Sequence, residues 1–433
     1  MLHLRKLFQS TFAKNVAMIS ASTAFAQMLN ALFSPVITRL YNPDEYGILT
    51  LYISILGLVA IIASLKYEWG ITIAESDEKA VNVMCLGFII LFIFTIITYI
   101  IFYLFGRPIL NTLNATKLFN YRYLIPIGVL LVGSYGIFLQ WAYRNKDFHS
   151  ISMTKIWQSV TGNGAFVLFG FLRIGPVGLI LGQILKESAG IGSLSRPFFR
   201  NSIRLIKEIS KDQIIWCAKR YKNFPLYSAP SQLLNTAGIQ LPVFFISSLY
   251  GSQVLGLYGL ANTVVNLPMV LIGQSIGDVF YAEVASIGKR NPKRVKDLTD
   301  KLFKKLVVIG LVPLVVLLFF GPFLFSFVFG YKWYDAGEYA KILAFLVFAR
   351  FIFTPISRIY SVFERQKKAF MLDLFRVILV FAAFGISDFF NLSSYLAVGL
   401  YSIAMSIVYL ITYLLAQNIL KEDIKKRETF ETA

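Results

Sequence analysis

The chain has 433 residues, 57% hydrophobic and 16% aromatic but only 15% charged, with a formal net charge of +19. A soluble domain carries about 25% charged residues, so repeated windows of roughly 20 apolar residues identify a polytopic membrane protein. The positive balance is assigned to basic loops that meet anionic membrane lipids, not to nucleic acid.

Apolar spans are predicted near 15–38, 47–74, 81–105, 123–143, 151–172 and 175–195, and again near 224–249, 256–280, 306–329, 341–361, 370–387 and 393–416. The reading is an all-α membrane protein of about 12 transmembrane helices. An even number of crossings puts both termini on one side. About 30 of the 42 lysines and arginines fall in the two tails and the loops near 75–80, 144–155, 196–222, 281–305 and 362–369. The positive-inside rule makes that side cytoplasmic. The first span lacks a small-residue cleavage site, so no removable signal peptide is expected. Cys85 and Cys217 are too far apart for metal-type spacing, and neither a disulfide nor zinc is expected.

The first two spans flank a polar corner, Thr38-Arg39-Leu40-Tyr41-Asn42-Pro43-Asp44-Glu45-Tyr46-Gly47. Ahead of it runs a line of Ser20, Thr23, Gln27, Asn30 and Ser34, at steps that put all five on one helix face. Such a face avoids hydrocarbon and is expected against other helices or a water-filled cavity.

The stretch 196–222 mixes eight basic residues, Arg196 to Lys222, with Phe198, Phe199, Ile203 and Ile206. It reads as a basic amphipathic segment on the inner leaflet. It divides the spans six and six: a lobe over 1–195, the linker over 196–222, a second lobe over 223–420 and a cytoplasmic tail over 421–433. An internal repeat supports this division. Leu40-Tyr41-x5-Gly47 matches Leu249-Tyr250-x5-Gly256, with Pro35 and Pro242 upstream. Thr23 and Gln27 correspond to Gln232 and Thr236, and Gln240 continues that face. Two like halves suit a transporter that alternates access around a central site.

The run Pro35 to Gly47 resembles the first-corner signature of the polysaccharide transporters, where a helix ends in Arg-Leu before a Gly-Pro-Glu-Glu-Tyr-Gly-like turn. Tyr41-Asn42 stands where that family often has Leu-Gly. The family includes the O-antigen flippases (Wzx type) and belongs with multidrug exporters and lipid II flippases in one superfamily. The resemblance implies two pseudo-symmetric six-helix lobes forming a V around a central cavity. It also implies a cargo, an undecaprenyl-diphosphate-linked oligosaccharide moved across the bacterial inner membrane. Protons or sodium as coupling ions, and polysaccharide assembly proteins as partners, come with it.

Ionisable groups at bilayer depth are candidates for function. Arg350 lies about nine residues into its span, roughly 14 Å deep at 1.5 Å per residue, near the middle of a core about 30 Å thick. Thr354 and Arg358 follow at steps of four, and Asp373 and Arg376 stand three apart on the next helix. These arginines suit a diphosphate, since guanidinium groups pair with phosphate oxygens. The candidate cavity set is Arg350, Arg358, Arg376, Arg39, Gln27, Asn30, Gln232 and Thr236. Lys66, Glu68 and Asp373 are candidates for ion pairing or coupling; Lys66 and Glu68, two apart, point to different faces and are not expected to be each other's partner. The alternative for the charges is snorkelling and lobe-internal pairing; for the amides it is interhelical hydrogen bonding.

Gly273-Gln274-Ser275-Ile276-Gly277 fits a nucleophile elbow in letters only: that motif needs a strand and a histidine base, and the histidines are His3 and His149. No phosphate loop or metal-ligand cluster appears, so no catalytic residue, metal or cofactor is assigned. Two alternatives compete with the flippase. A cation-coupled drug exporter would place acidic groups at depth. A membrane-embedded polymerase or glycosyltransferase would carry a large outer loop, whereas the longest, between Gly106 and Arg122, holds no carboxylate.

Overall fold

The computed structural model describes residues 11–288 and 291–431. Arg5, Lys6, Lys289 and Arg290, counted above among the basic loops, lie outside the described residues. Among the described residues the regular structure is all helical, and helix occupies each of the twelve predicted spans. Seven stretches are long and apolar enough to cross a membrane, one of them the 64-residue run Phe224–Ile287, with length for two crossings. The protein is a multi-pass, all-α membrane protein.

The chain forms two compact units, Met1–Gly256 and Leu257–Ala433. The first contains α1 (Thr11–Leu40), α2 (Pro43–Ala60), α3 (Trp69–Ile73), α4 (Asp77–Leu104), α5 (Leu124–Arg144), α6 (Phe148–Phe171), α7 (Pro176–Asn201), α8 (Lys211–Arg220) and most of α9 (Ala229–Pro268). The second holds the end of α9, then α10 (Gln274–Ile287), α11 (Pro292–Phe329), α12 (Tyr334–Ile356), α13 (Gln366–Phe389) and α14 (Ser394–Glu431).

The first corner is a capping box. Asn42 accepts the Glu45 amide at 2.9 Å, and the Glu45 carboxylate accepts the Asn42 amide at 2.9 Å. Pro43 occupies the first turn, where its missing N–H is not needed, and Asp44 and Glu45 face the positive end of the helix dipole. Tyr41 is buried behind this turn and donates to the Phe166 carbonyl at 2.9 Å. The second corner packs on the first. The Asp44 carboxylate takes hydrogen bonds from Ser252 and Lys117, while Asn114 donates to the Ser248 carbonyl at 2.8 Å. Burial works against the Asp44 carboxylate, but Lys117 and Ser252 outweigh it and hold its pKa below the ordinary value.

Repeat-equivalent glycines make the closest contact. A Cβ on Gly47 would stand 1.8 Å from the Ser252 carbonyl oxygen, and one on Gly256 would stand 1.7 Å from that of Pro43. Gly251, at φ +81°, turns the chain between them. These spacings explain why glycine recurs at offset 209: backbone meets backbone, leaving no room for a side chain.

The second predicted span is broken. α2 ends at Ala60, a series of tight i→i−3 turns follows, and Leu65 and Lys66 adopt left-handed dihedrals (φ 50° and 63°) before α3. The 196–222 segment also differs from a single amphipathic helix. α7 runs on to Asn201, a 3-10 turn covers Ile203–Glu208, and Ser210 caps α8 by accepting from Gln213. The segment is tied to α4, because Asn82 donates to the Glu208 carbonyl at 3.0 Å and accepts from Ser210 at 3.1 Å. Cys217, on α8 within the segment, is fully buried.

Pro230 and Pro268 each stand beside a five-residue π-helical turn, Phe224–Ser228 and Met269–Gly273, where the hydrogen-bond ladder is rerouted around a proline. Gly273-Gln274-Ser275-Ile276-Gly277 therefore lies in continuous helix, not in a strand-to-helix elbow. In the second unit α12 is the most buried helix, packed on α11 and α14, with Phe303, Phe353 and Tyr413 stacked at one end. The end of α14 pairs back onto the unit through Asp423 with Arg365 (3.4 Å) and Glu428 with Lys293 (2.8 Å).

The basic segments set an expectation of sidedness that a fusion can test. A reporter fused after Lys293 is expected to read as cytoplasmic, and periplasmic activity there would overturn the topology of the second half.

Candidate functional site

The site is built around α12, because Arg350 lies deep in that helix. Its Nη1 donates to the Asn266 side-chain oxygen at 3.2 Å. Asn266 is itself oriented by Asn262 one turn earlier, donating to the Asn262 carbonyl at 2.6 Å and to its side-chain oxygen at 2.8 Å. Among the described residues no carboxylate lies within 4 Å of Arg350. A half-buried guanidinium at this depth is expensive, and a neutral amide compensates only part of that cost. Tyr258 and Tyr401 lie near each other and within the field of the same cation. Thr354, one turn on, has a buried hydroxyl without a partner.

The other two arginine candidates of the second unit are paired. Arg376 meets Asp373 at 3.1 Å and stacks over Tyr409 at 5.5 Å, leaving its buried Nε without a hydrogen bond. Arg358 falls beyond the end of α12, which stops at Ile356, and meets Asp278 at 3.3 Å, both side chains well exposed. The stripe expected from steps of four is thus shortened to Arg350 and Thr354, because the helix ends behind Pro355. Arg350 keeps uncompensated charge.

In the first unit, the Asn30 side-chain oxygen accepts from Ser159 at 2.9 Å and Asn163 at 2.8 Å, while Ser159 also donates to the Ala26 carbonyl at 3.0 Å. These bonds tie α1 to α6, and Asn30 reaches back to Gln27 at 3.4 Å. Gln232 and Thr236 are half-buried on α9, and Gln240 accepts from Ser54 on α2 at 3.4 Å. Arg39 is exposed in the last turn of α1, where a cation complements the carbonyl end of the helix.

Lys66 and Glu68 correct the helical expectation. They are partners, 3.5 Å apart and each 9% exposed, because the left-handed residues at 65 and 66 fold the chain back on itself. Ser64 donates to the same carboxylate, and Lys66 lies 5.3 Å from the centre of the Trp69 ring.

Sequence reasoning passes over a polar cluster in the first unit. Lys186 and Glu187 are the eleventh and twelfth residues of α7, as deep by count as Arg350. The Lys186 stem packs against Gly162, where a Cβ would come within 2.9 Å of three of its carbons. Glu187 accepts from Gln183 at 2.8 Å, and Lys155 on α6 lies over the Tyr135 ring at 5.7 Å. The signal was present in two charged letters inside an apolar span. What hid it was their adjacency, which looks like a neutral pair although neighbours on a helix point about 100° apart.

Arranged this way, the second unit offers an anion a cation backed by amides and phenols. No general base stands beside a nucleophile there.

Comparisons with known proteins agree with this helical architecture. The chain is 22% identical over 237 residues to the teichuronic acid biosynthesis protein TuaB of Bacillus subtilis (strain 168), covering 53% of this chain and 46% of that protein, so the match spans about half the length of that relative. Among solved structures, an inward-facing multidrug resistance MATE family transporter of the MOP superfamily superposes with a TM-score of 0.74 at 15% identity, covering 94% of this chain and 99% of that one. A MOP superfamily transporter from Pyrococcus furiosus, described as having a binding pocket of reverse polarity, superposes with a TM-score of 0.62 at 14% identity over 95% of this chain and 96% of its own. At such identity the likeness shows the fold alone, one this chain shares with those two structures. Residues 36–338 match the profile of the polysaccharide biosynthesis protein family, which is most of the chain, and the protein belongs to that family.

Proposed function

We propose that the protein is a flippase that moves an undecaprenyl-diphosphate-linked oligosaccharide, the repeat unit of an O-antigen or another surface polysaccharide, across the bacterial inner membrane. The observation that carries this reading is Arg350, a deep cation held by a neutral amide and free of any described carboxylate. Membership of a polysaccharide biosynthesis family and a transporter fold support it. A diphosphate supplies the charge that Arg350 lacks, and guanidinium is suited to it by its two-pronged geometry. Polar residues such as Gln232 and Thr236 would meet the sugars while the polyprenyl tail stays in lipid, so no long apolar chain crosses water.

In this reading the six-helix lobes run over 1–195 and 223–420 and alternate access, both termini are cytoplasmic, and Arg350 receives the anion. The Lys66–Glu68 pair, Asp373 and the Lys186–Glu187 cluster are the candidates for coupling to protons or sodium.

Deletion is the test. The expected result is accumulation of oligosaccharide-diphospho-lipid on the cytoplasmic leaflet and loss of the surface polysaccharide. A strain that lacks the lipid-linked oligosaccharide altogether would mean that the chain makes the glycan. An intact glycan with accumulated cationic drugs would make it an exporter.

A further inference from the structure

A cavity of about 920 Å³ lies at the C-terminal end of α7, lined by Asp147, Ser193, Arg196, Pro197, Phe199 and Arg200. Its size is that of a small-ligand site. Arg196 and Arg200 are one helical turn apart, so both guanidinium groups are presented on one face. Both are exposed, and among the described residues neither makes an ion pair. Asp147 also lines the cavity; it caps α6, accepting the Ser150 amide at 3.0 Å, and among the described residues it forms no ion pair with either arginine.

The apolar side of the cavity is equally well defined. Phe198 is buried edge-on against Trp141 with ring centres 5.0 Å apart, which fixes this turn of α7 and turns Phe199 outward. Ile203 and Ile206, in the 3-10 turn that follows, are exposed too. Cations over a cavity lined by Phe199, with bare apolar side chains on the turn that follows in the chain, are what a lipid headgroup and the first carbons of its tail require.

We infer that this cavity is a headgroup site for a phosphate-bearing membrane lipid, with Arg196 and Arg200 gripping the phosphate oxygens and Phe199, Ile203 and Ile206 meeting the chain below. Basic loops alone satisfy the positive-inside bias, and that bias requires neither a cavity nor two cations at one-turn spacing. Phosphate on an apolar tail is shared by acidic phospholipids and by polyprenyl diphosphates. The inference does not depend on which cargo the protein transports.

The test is native mass spectrometry of the full chain with phosphatidylglycerol, with a polyprenyl diphosphate and with a diacylglycerol as the phosphate-free lipid. Arg196→Gln with Arg200→Gln is expected to weaken binding of at least one phosphate lipid by about tenfold or more, the scale of a lost charged hydrogen bond. The lipid that suffers most identifies the source. Lys301→Gln with Lys305→Gln removes the same charge at the same spacing in the second unit and is expected to change binding less than about twofold. Equal losses in the two double variants would reduce the effect to general electrostatics and overturn the site. Arg196→Lys with Arg200→Lys guards against misfolding: it keeps the charge and loses the fork, so about threefold weakening is expected. Unchanged binding in that variant would overturn the site as well.

Discussion

Replacing Arg350 by alanine is expected to reduce export of the surface polysaccharide at least tenfold while the protein still inserts and accumulates. The magnitude is that of a hydrogen bond to a charged group, about 1.5–3 kcal/mol, or one to two powers of ten in rate. Arg350→Lys should retain part of the activity, since the charge stays and the two-pronged geometry goes. Stability separates a functional from a structural role. The guanidinium is half-buried, and among the described residues Asn266 is its one hydrogen-bond partner, so removing it relieves desolvation and costs one hydrogen bond. The alanine variant should therefore melt no lower than the parent in detergent, or slightly higher. Normal transport together with a lowered melting temperature would make Arg350 a structural residue and remove the main support for an anionic cargo.

Alanine at Gly47 or Gly256 is expected to have the largest effect on stability. A new Cβ would stand 1.8 Å from one backbone carbonyl oxygen or 1.7 Å from the other, and neither carbonyl can swing aside as a flexible side chain would. Overpacking usually costs about 1–3 kcal/mol, and a backbone-to-backbone clash belongs at or above the top of that range. Because the two corners press on each other, the second substitution should cost less than the first once they have separated. Gly164→Ala and Gly192→Ala are the controls. Both lie in helices with nothing within 4 Å of the added carbon, so each should be neutral or stabilising by up to about 1 kcal/mol. Thermal unfolding of the four variants decides the matter, and a Gly47→Ala protein as stable as Gly164→Ala would show that the corners are not in contact.

The glycine pair also separates what was legible in the letters from what was not. A pattern at offset 209 is visible in sequence, and so are the apolar windows that became helices and the Asn42–Glu45 spacing that became a capping box. These features are set over one to six turns by burial, backbone hydrogen bonding and local caps, and all of that information is contiguous. That Gly47 and Gly256 touch is long-range information, and a one-dimensional pattern does not hold it.

The polar residues divide in the same way. Their presence on a helix face follows from periodicity, whereas their roles depended on what stood opposite. Asn30 met Ser159 and Asn163 and became a tie between helices; Arg376 met Asp373 and was neutralised; Lys66 and Glu68 met because two left-handed residues broke the helix that should have parted them. Arg350 met only an amide. By itself the sequence determined a helical membrane protein, the location of its spans and the residues that carry charge into them. Only the tertiary structure decided which of those charges are cancelled, because cancellation depends on distances of 3–4 Å between residues tens to hundreds of positions apart.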